Sequence, residues 1–471
     1  MVSALLLAGA AVDVTDRLGR TPLHAVLENG ADAEAVRSLL AAGADVNAQD
    51  GSQPTPLMCV RYDLPGDTEI VKTLLDAGAT VAPKSDPSRE RGYPVLFLAE
   101  SPETVDLLLK AGTEVNARGG AGNVTPIFNA ARNAEKMRML LAAGAEVNVR
   151  NKLDETPIFD PWLTPECLRM LLDAGARTEA RNLHEQTPIF RHASSRTPEN
   201  FMILAHAGAY LHGKDEMRRT LLFYAREPEV MRFLTKNDLD VNARDEAGET
   251  ALHRVTSAEC AEILISAGAD VNAQNAAGET PLHTLCGNTE VVRVLLRHRA
   301  DVNARDERGN TPLHAQNEGT LAAAVALLAA GADVNAKNED GNTPLHRVTM
   351  VDDLTALFLE HGADVNAANL AGRTALHDRW LTAESLRLLL AAGADVHARD
   401  ADGKTPIFYT YDKECYNMLI AAGASVQDQD NAGNYPRNVN ARVETEEEMI
   451  RNYGRTPMPL RWEPEVGDRE P

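Results

Sequence analysis

A chain of 471 residues would ordinarily divide into about three globular domains of ~150 residues each, but aromatic residues are only 4% of this one while Ala, Leu and Gly are abundant. A core built from small and aliphatic side chains is the composition of closely stacked helices in a solenoid. The formal net charge of −22 excludes a non-specific grip on nucleic acid or on an anionic membrane surface, both of which need clustered Lys and Arg, and favours a neutral or basic partner.

The opening, "MVSALLLAGAAVDV", lacks the basic n-region of a signal peptide, and the same letters recur internally as "LLAAGADV". It therefore reads as a helix of the folded chain. No run approaches the ~18 apolar residues of a membrane helix, so no membrane insertion is expected. Gly9 stands twelve residues before Thr21, the spacing found inside the chain between a helix end and the next anchor. Residues 1–14 are accordingly expected to be a partial first repeat, its second helix only.

From there the sequence is periodic. Aligning on T-P-L-H gives anchors at Thr21, Thr55, Tyr93, Thr125, Thr156, Thr187, Thr220, Thr250, Thr280, Thr311, Thr343, Thr374, Thr405 and Tyr435, in steps of 30 to 38 residues. "DPWLTPE" at Asp160 and "DRWLTAE" at Asp378 are one slot of that period, because Trp162 and Trp380 each lie six residues after their anchors. Each unit predicts a short first helix after the anchor, barely two turns long. A second helix then starts on an N-cap followed by Pro or Ala and Glu, as in "SPET", "TPEC", "TPEN", "SAEC" and "TAES". It stops at a C′ glycine such as Gly144, Gly331 or Gly393. The D-x-x-G stretch that follows, for example Asp306 to Gly309, predicts the tight turn of a projecting β-hairpin. The loop "APKSDPSRERG", Ala82 to Gly92, is longer than its counterparts and is expected to be protease-sensitive. Residues 15–434 form the array, 435–454 a C-terminal capping half-repeat, and 455–471 a disordered tail by their Pro and charge content.

With "GNTPLHRV", "GETPLHTL" and "LLAAGADVNAKNEDGNTPLH" recurring in register, the chain resembles the ankyrin-repeat family over nearly its whole length. The resemblance implies an all-α repeat solenoid of hairpin-helix-turn-helix units stacked in one elongated array, and a protein that binds other proteins through hairpin tips and the inner, first-helix face. A non-catalytic scaffold is expected, monomeric, with no cofactor. The alternative is a regulatory or targeting arm of a larger enzyme or channel encoded upstream of Met1, motivated by the start inside a unit.

The scan for chemistry supports no enzyme. His24, His253, His283, His314, His346 and His377 hold the fourth anchor position, which Phe128, Phe159, Phe190, Phe223 and Phe408 hold elsewhere. Helices pack about 8–10 Å apart, whereas zinc ligands lie ~2.0–2.1 Å from one ion, so these histidines are expected to hydrogen-bond the neighbouring hairpin and not to bind metal. The five cysteines, Cys59, Cys167, Cys260, Cys286 and Cys415, form no C-x-x-C pair and are odd in number, the pattern of reduced thiols and a cytoplasmic protein. Cys167, Cys260 and Cys415 share one helix slot with Val, Ile and Leu and are expected to be buried. Trp162 and Trp380 are expected to fill core beside a shortened first helix, with a surface anchor as the alternative. The fifth anchor position varies in a way packing does not demand (Asp160, Arg191, Tyr224, Arg254, Thr284, Arg347, Asp378, Tyr409). From it and the hairpins come the candidate protein-binding residues: Tyr224, Arg254, Arg347, Asp378, Tyr409, Arg308, Arg373 and Lys404.

Overall fold

A computed structural model describes residues 9–30, 33–49, 55–62, 64, 66–81, 94–120, 122–195, 197–317 and 319–437. Residues 1–8 of the expected partial first repeat, the Tyr93 anchor, the Ala82–Gly92 loop, the expected capping half-repeat beyond residue 437 and the tail 455–471 lie outside the described residues. The chain forms two compact units, Met1–Ala276 with Arg297–Ala300, and Ala277–Leu296 with Asp301–Pro471. Both are all-α repeat solenoids.

Second helices are nine residues long throughout the described chain except Asp67–Asp76, which has ten. The caps work as their residues predict. Thr164 accepts the amide of Cys167 at 3.2 Å, Thr382 that of Ser385 at 3.0 Å and Asp412 that of Cys415 at 2.8 Å. Thr197 of "TPEN", like Glu227, Thr320 and Val351 at other second helices, makes no side-chain cap bond. At the other end Gly144 takes φ +87°, and the next amide, that of Ala145, reaches back to the Leu140 carbonyl at 2.9 Å. Asp238 and Arg299 adopt the same left-handed conformation where glycine is missing.

The first helices are shorter than expected. Many are a single turn, such as Pro157–Phe159, Leu221–Phe223, Ala375–His377 and Pro406–Phe408, and the longest described is Pro22–Glu28. The hairpins also differ from expectation: among the described residues they form turns without strand ladders, apart from one isolated bridge, Gly119 to Val124. The reason lies in how their backbone groups are used. Within a finger the Asp306 amide bonds the Asn310 carbonyl and Gly309 bonds back to Asp306, while Asp306 Oδ1 accepts from Arg308 and Asn310. The tip amide is left for the preceding finger. In the second unit Glu307 donates to Ala277, Glu339 to Arg308, Leu370 to Asp340, Ala401 to Ala371 and Asn431 to Asp402, all at 2.8–2.9 Å. Pairing runs across fingers, so no finger needs a ladder of its own.

The core is aliphatic, with Leu168, Leu204, Leu234 and Leu264 fully buried in successive second helices of the first unit. Cys167, Cys260 and Cys415 are buried as expected, and burial raises each thiol above its usual range, Cys415 to about 12. They have a further task that the sequence did not announce. The residue three past the cap carries a donor to a carbonyl of the preceding repeat: Cys167 to Ala130 at 3.5 Å, Cys260 to Arg226 at 3.4 Å and Cys415 to Leu381 at 3.5 Å. Asn200 does the same to Leu163 at 2.7 Å, and fully buried Lys136 reaches Ala99 at 2.5 Å and Phe97 at 3.0 Å. Burial draws the Lys136 ammonium down to about 8, against the pull of Glu100.

Candidate protein-recognition face

Each anchor places three kinds of side chain. The Thr carbonyl accepts the fourth residue's amide, as from Phe159 to Thr156 at 2.9 Å and from His346 to Thr343 at 3.0 Å, the variable fifth position is half-buried or exposed, and the finger before the anchor brings its own polar tip alongside. Where the fourth residue is His, the ring closes the unit. Thr343 donates its amide to His346 Nδ1 at 3.1 Å, and Nε2 lies 3.0 Å from the Arg373 carbonyl of the next finger. His283, His314 and His377 bond the carbonyls of Asn310, Asn342 and Lys404 in the same way at 3.0–3.3 Å. The expectation of a histidine bonded to its neighbouring finger holds, and Nδ1 adds a cap for the anchor. With Nδ1 accepting the Thr amide, Nε2 is the donor to the carbonyl. Burial lowers the pKa of these four rings.

The candidate binding residues are distributed over both units. In the first unit, Tyr224 donates its hydroxyl to Asp215 Oδ2 at 2.5 Å, accepts from Gln186 at 2.9 Å, and lies under the Arg219 guanidinium at 5.2 Å. Burial and the Asp215 carboxylate push its pKa up. Arg254 pairs with Glu249. Both side chains are thus held within the chain. In the second unit, Arg308 and Arg347 line one cavity of about 450 Å³ together with Glu307, His283 and His314. Arg373, Asp378 and Tyr409 line another of about 440 Å³. Lys404 pairs with Asp402 at 3.5 Å and borders neither.

At the second of these cavities Tyr409 repeats the Tyr224 pattern in the same slot, with the arginine supplied by the preceding repeat. Its hydroxyl donates to Asp400, Arg373 Nη2 donates to it at 3.1 Å, and the Arg373 guanidinium lies 4.9 Å from its ring. Arg373 also pairs with Asp400 at 3.4 Å. Burial and then Asp400 push the phenol up to about 12. The tyrosine is therefore a fixed wall of the cavity, with its polar atom already matched.

Trp162 and Trp380 overturn the expectation of core filling: they are 67% and 63% exposed. The cause is two residues upstream. Asp160 Oδ1 accepts the Trp162 amide at 2.8 Å and Asp378 Oδ1 the Trp380 amide at 3.0 Å, closing an Asx turn that carries each indole outward. Leu163, the residue after Trp162, takes the buried place in the first unit instead. Each indole lies under an arginine, Arg132 at 4.7 Å from Trp162 and Arg379 at 5.1 Å from Trp380. Arg379 also lies 5.4 Å from the ring of Tyr411, itself 54% exposed. The D-x-W spacing was the signal available for this in the sequence; the arginines had none, since Arg132 comes from the preceding repeat and Arg379 from within the heptad.

Among the described residues no three His, Cys, Asp or Glu side chains are placed to hold a metal ion, and no helix is long and apolar enough to cross a membrane.

Compared with known proteins, residues 1–85, 252–315 and 313–400 match a family model of ankyrin repeats in three copies. No curated protein matches the chain. Among solved structures, the human ASB11 ankyrin repeat domain is similar at 24% identity, with a TM-score of 0.40, covering 44% of this chain and 99% of that one. With the repeated anchors, capped second helices and finger-to-finger bonds, the matched segments establish that the chain belongs to the ankyrin-repeat family.

Proposed function

We propose that the chain is a non-catalytic scaffold that binds a partner protein through the fingers and first turns of its second unit. Ankyrin repeats are generally protein–protein interaction modules and typically lack catalysis. The observation that carries the proposal is the pair of cavities lined by Arg308 and Arg347 and by Asp378 and Trp380, of which Arg308, Arg347 and Trp380 are exposed. A standard interface covers about 800 Å² per partner, an area that three or four repeats supply. The overall charge of −22 draws a partner that is neutral or basic as a whole. Arg308→Glu with Arg347→Glu should weaken capture of the native partner at least about tenfold, the scale of a central interface residue, with thermal unfolding unchanged. Undiminished capture by a folded double variant would remove this face from the interface.

A further inference from the structure

Of the two arginines that line the Trp380 cavity, Arg379 is the one without an ion pair among the described residues. Its guanidinium lies against two ring faces, Trp380 at 5.1 Å and Tyr411 at 5.4 Å. Ring contacts engage the flat faces of a guanidinium and leave the N–H edges available. Among the described residues no carboxylate comes within ion-pair distance of it. That is notable in a chain where acidic side chains outnumber basic ones 69 to 47. The nearest acid in sequence, Asp378, is turned inward, with Oδ1 on the Trp380 amide and Oδ2 on the Thr349 hydroxyl. Arg373, the other cation lining the cavity, is held by Asp400 and Tyr409. The same stacked pair stands in the first unit, where Arg132 lies over exposed Trp162 and Asp160 accepts the Trp162 amide. There the arginine comes from a different position of the repeat, so the pairing is not a by-product of one sequence slot.

We propose that the cavity bordered by Arg379, Trp380 and Tyr411 docks an acidic segment of a partner protein, one carboxylate meeting the Arg379 N–H edge while an adjacent apolar side chain covers the Trp380 indole. The inference rests on the reading of this face as protein-binding and names what it reads. A planar carboxylate matches the guanidinium edge with two parallel hydrogen bonds. A phosphate, near two negative charges at neutral pH, would meet only one uncommitted cation with Asp378 beside it, so the single charge of Asp or Glu is the better fit. The partner remains neutral or basic overall; the cavity selects one acid on it.

The test is a phage-displayed library of random twelve-residue peptides selected on the full chain and on its Arg379→Gln and Trp380→Ala variants, each first checked for unchanged thermal unfolding. Wild type should enrich peptides with Asp or Glu next to an apolar residue, Arg379→Gln should lose the acidic preference, and Trp380→Ala the apolar one. A synthetic peptide from the leading clone should bind wild type about tenfold more tightly than its Asp→Asn form, the scale of one charge-assisted hydrogen-bonded pair, and bind Arg379→Gln equally in both forms. Enriched peptides without an acid, an acidic preference that survives Arg379→Gln, or tighter binding of a phosphoserine form would overturn this inference while leaving the protein-binding reading intact. Enrichment on neither wild type nor variant, together with partner capture undiminished by the Arg308→Glu, Arg347→Glu change, would remove both. A dimer that Arg379→Gln separates would also overturn it, since a second copy would then be the occupant.

Discussion

The repeats anchored by Phe128, Phe159, Phe190 and Phe223, all in the first unit, solve the same local problem differently from those anchored by His283, His314, His346 and His377 in the second. In the histidine repeats, the anchor threonine and the next finger's carbonyl are both bonded to the ring. In the phenylalanine repeats, the buried hydroxyls of Thr125, Thr156, Thr187 and Thr220 have no hydrogen-bond partner. The fingers differ too. Two residues before the anchor the histidine repeats place glycine, whereas the phenylalanine repeats place Asn123, Asp154, Glu185 and Arg218 at φ +52° to +62°. A Cβ on Gly341 would stand 2.8 Å from the Leu370 amide, and one on Gly278 2.7 Å from that of Glu307. The repeat at Thr405 separates the two features, since it combines Gly403 with Phe408 and its threonine hydroxyl is again unmatched. Histidine therefore satisfies the anchor, while glycine answers to the close approach of the following finger.

The largest effect should come from Gly341→Ala. A left-handed residue with a Cβ costs about 1–2 kcal/mol, and the contact with Leu370 adds to it, so loss of about 2–4 kcal/mol is expected in the local stability of residues 338–370 by hydrogen exchange. Glu185→Ala, where a Cβ is already accommodated, should cost less than about 1 kcal/mol. Equal losses would mean that the fingers of both runs approach their neighbours alike.

Next in size is the anchor. Thr343→Val should destabilise its repeat by about 1 kcal/mol, because the hydroxyl is bonded to His346, whereas Thr156→Val should be neutral or stabilising because its hydroxyl is buried and unmatched. Equilibrium denaturation of the two variants checks this, and a comparable loss in both would show that the phenylalanine repeats hold their threonines by other means.

The smallest effect is one of pH. Burial lowers the folded pKa of His283, His314, His346 and His377 below the unfolded value of about 6.5. Between those values the unfolded chain binds more protons, so the stability these rings contribute is complete above about pH 6.5 and is lost as pH falls through the folded pKa. The phenylalanine run has one such ring, His192. Moving from pH 7.5 to 5.5 should reduce exchange protection more in residues 281–377 than in 126–223; an even loss would assign the effect to carboxylates common to both.

Period, caps, C′ glycines, buried cysteines and the histidine-to-finger bond were all legible, because each is written in local spacing. The single-turn length of the first helices was less so, since the T-P-L-H letters specify where a turn starts and not where tertiary packing lets it end. The tryptophans were misread for a reason of scale. Judging Trp380 by its size points to core, whereas Asp378, two residues earlier, decides its direction through one amide bond. Of the candidate residues, Arg308, Arg347, Arg373, Asp378 and Tyr409 border cavities, but that Tyr409 and Tyr224 are held by Asp400 and Asp215 depends on partners nine residues away across a finger. Arg379 carried no sequence signal at all, because its value lies in lacking a partner.

The backbone bonds from finger tip to finger all run one way, each tip amide giving to the finger before it. A chain joined like this has a grammar of interchangeable clauses. Excise Glu339 through Asn369 and the Leu370 amide falls opposite the Arg308 carbonyl that Glu339 had occupied, with no donor or acceptor stranded at the splice. Length can thus change by whole repeats without rewriting the residues that remain, and the stretch that carries a surface cavity can be shifted along the series, or copied into it, as a unit.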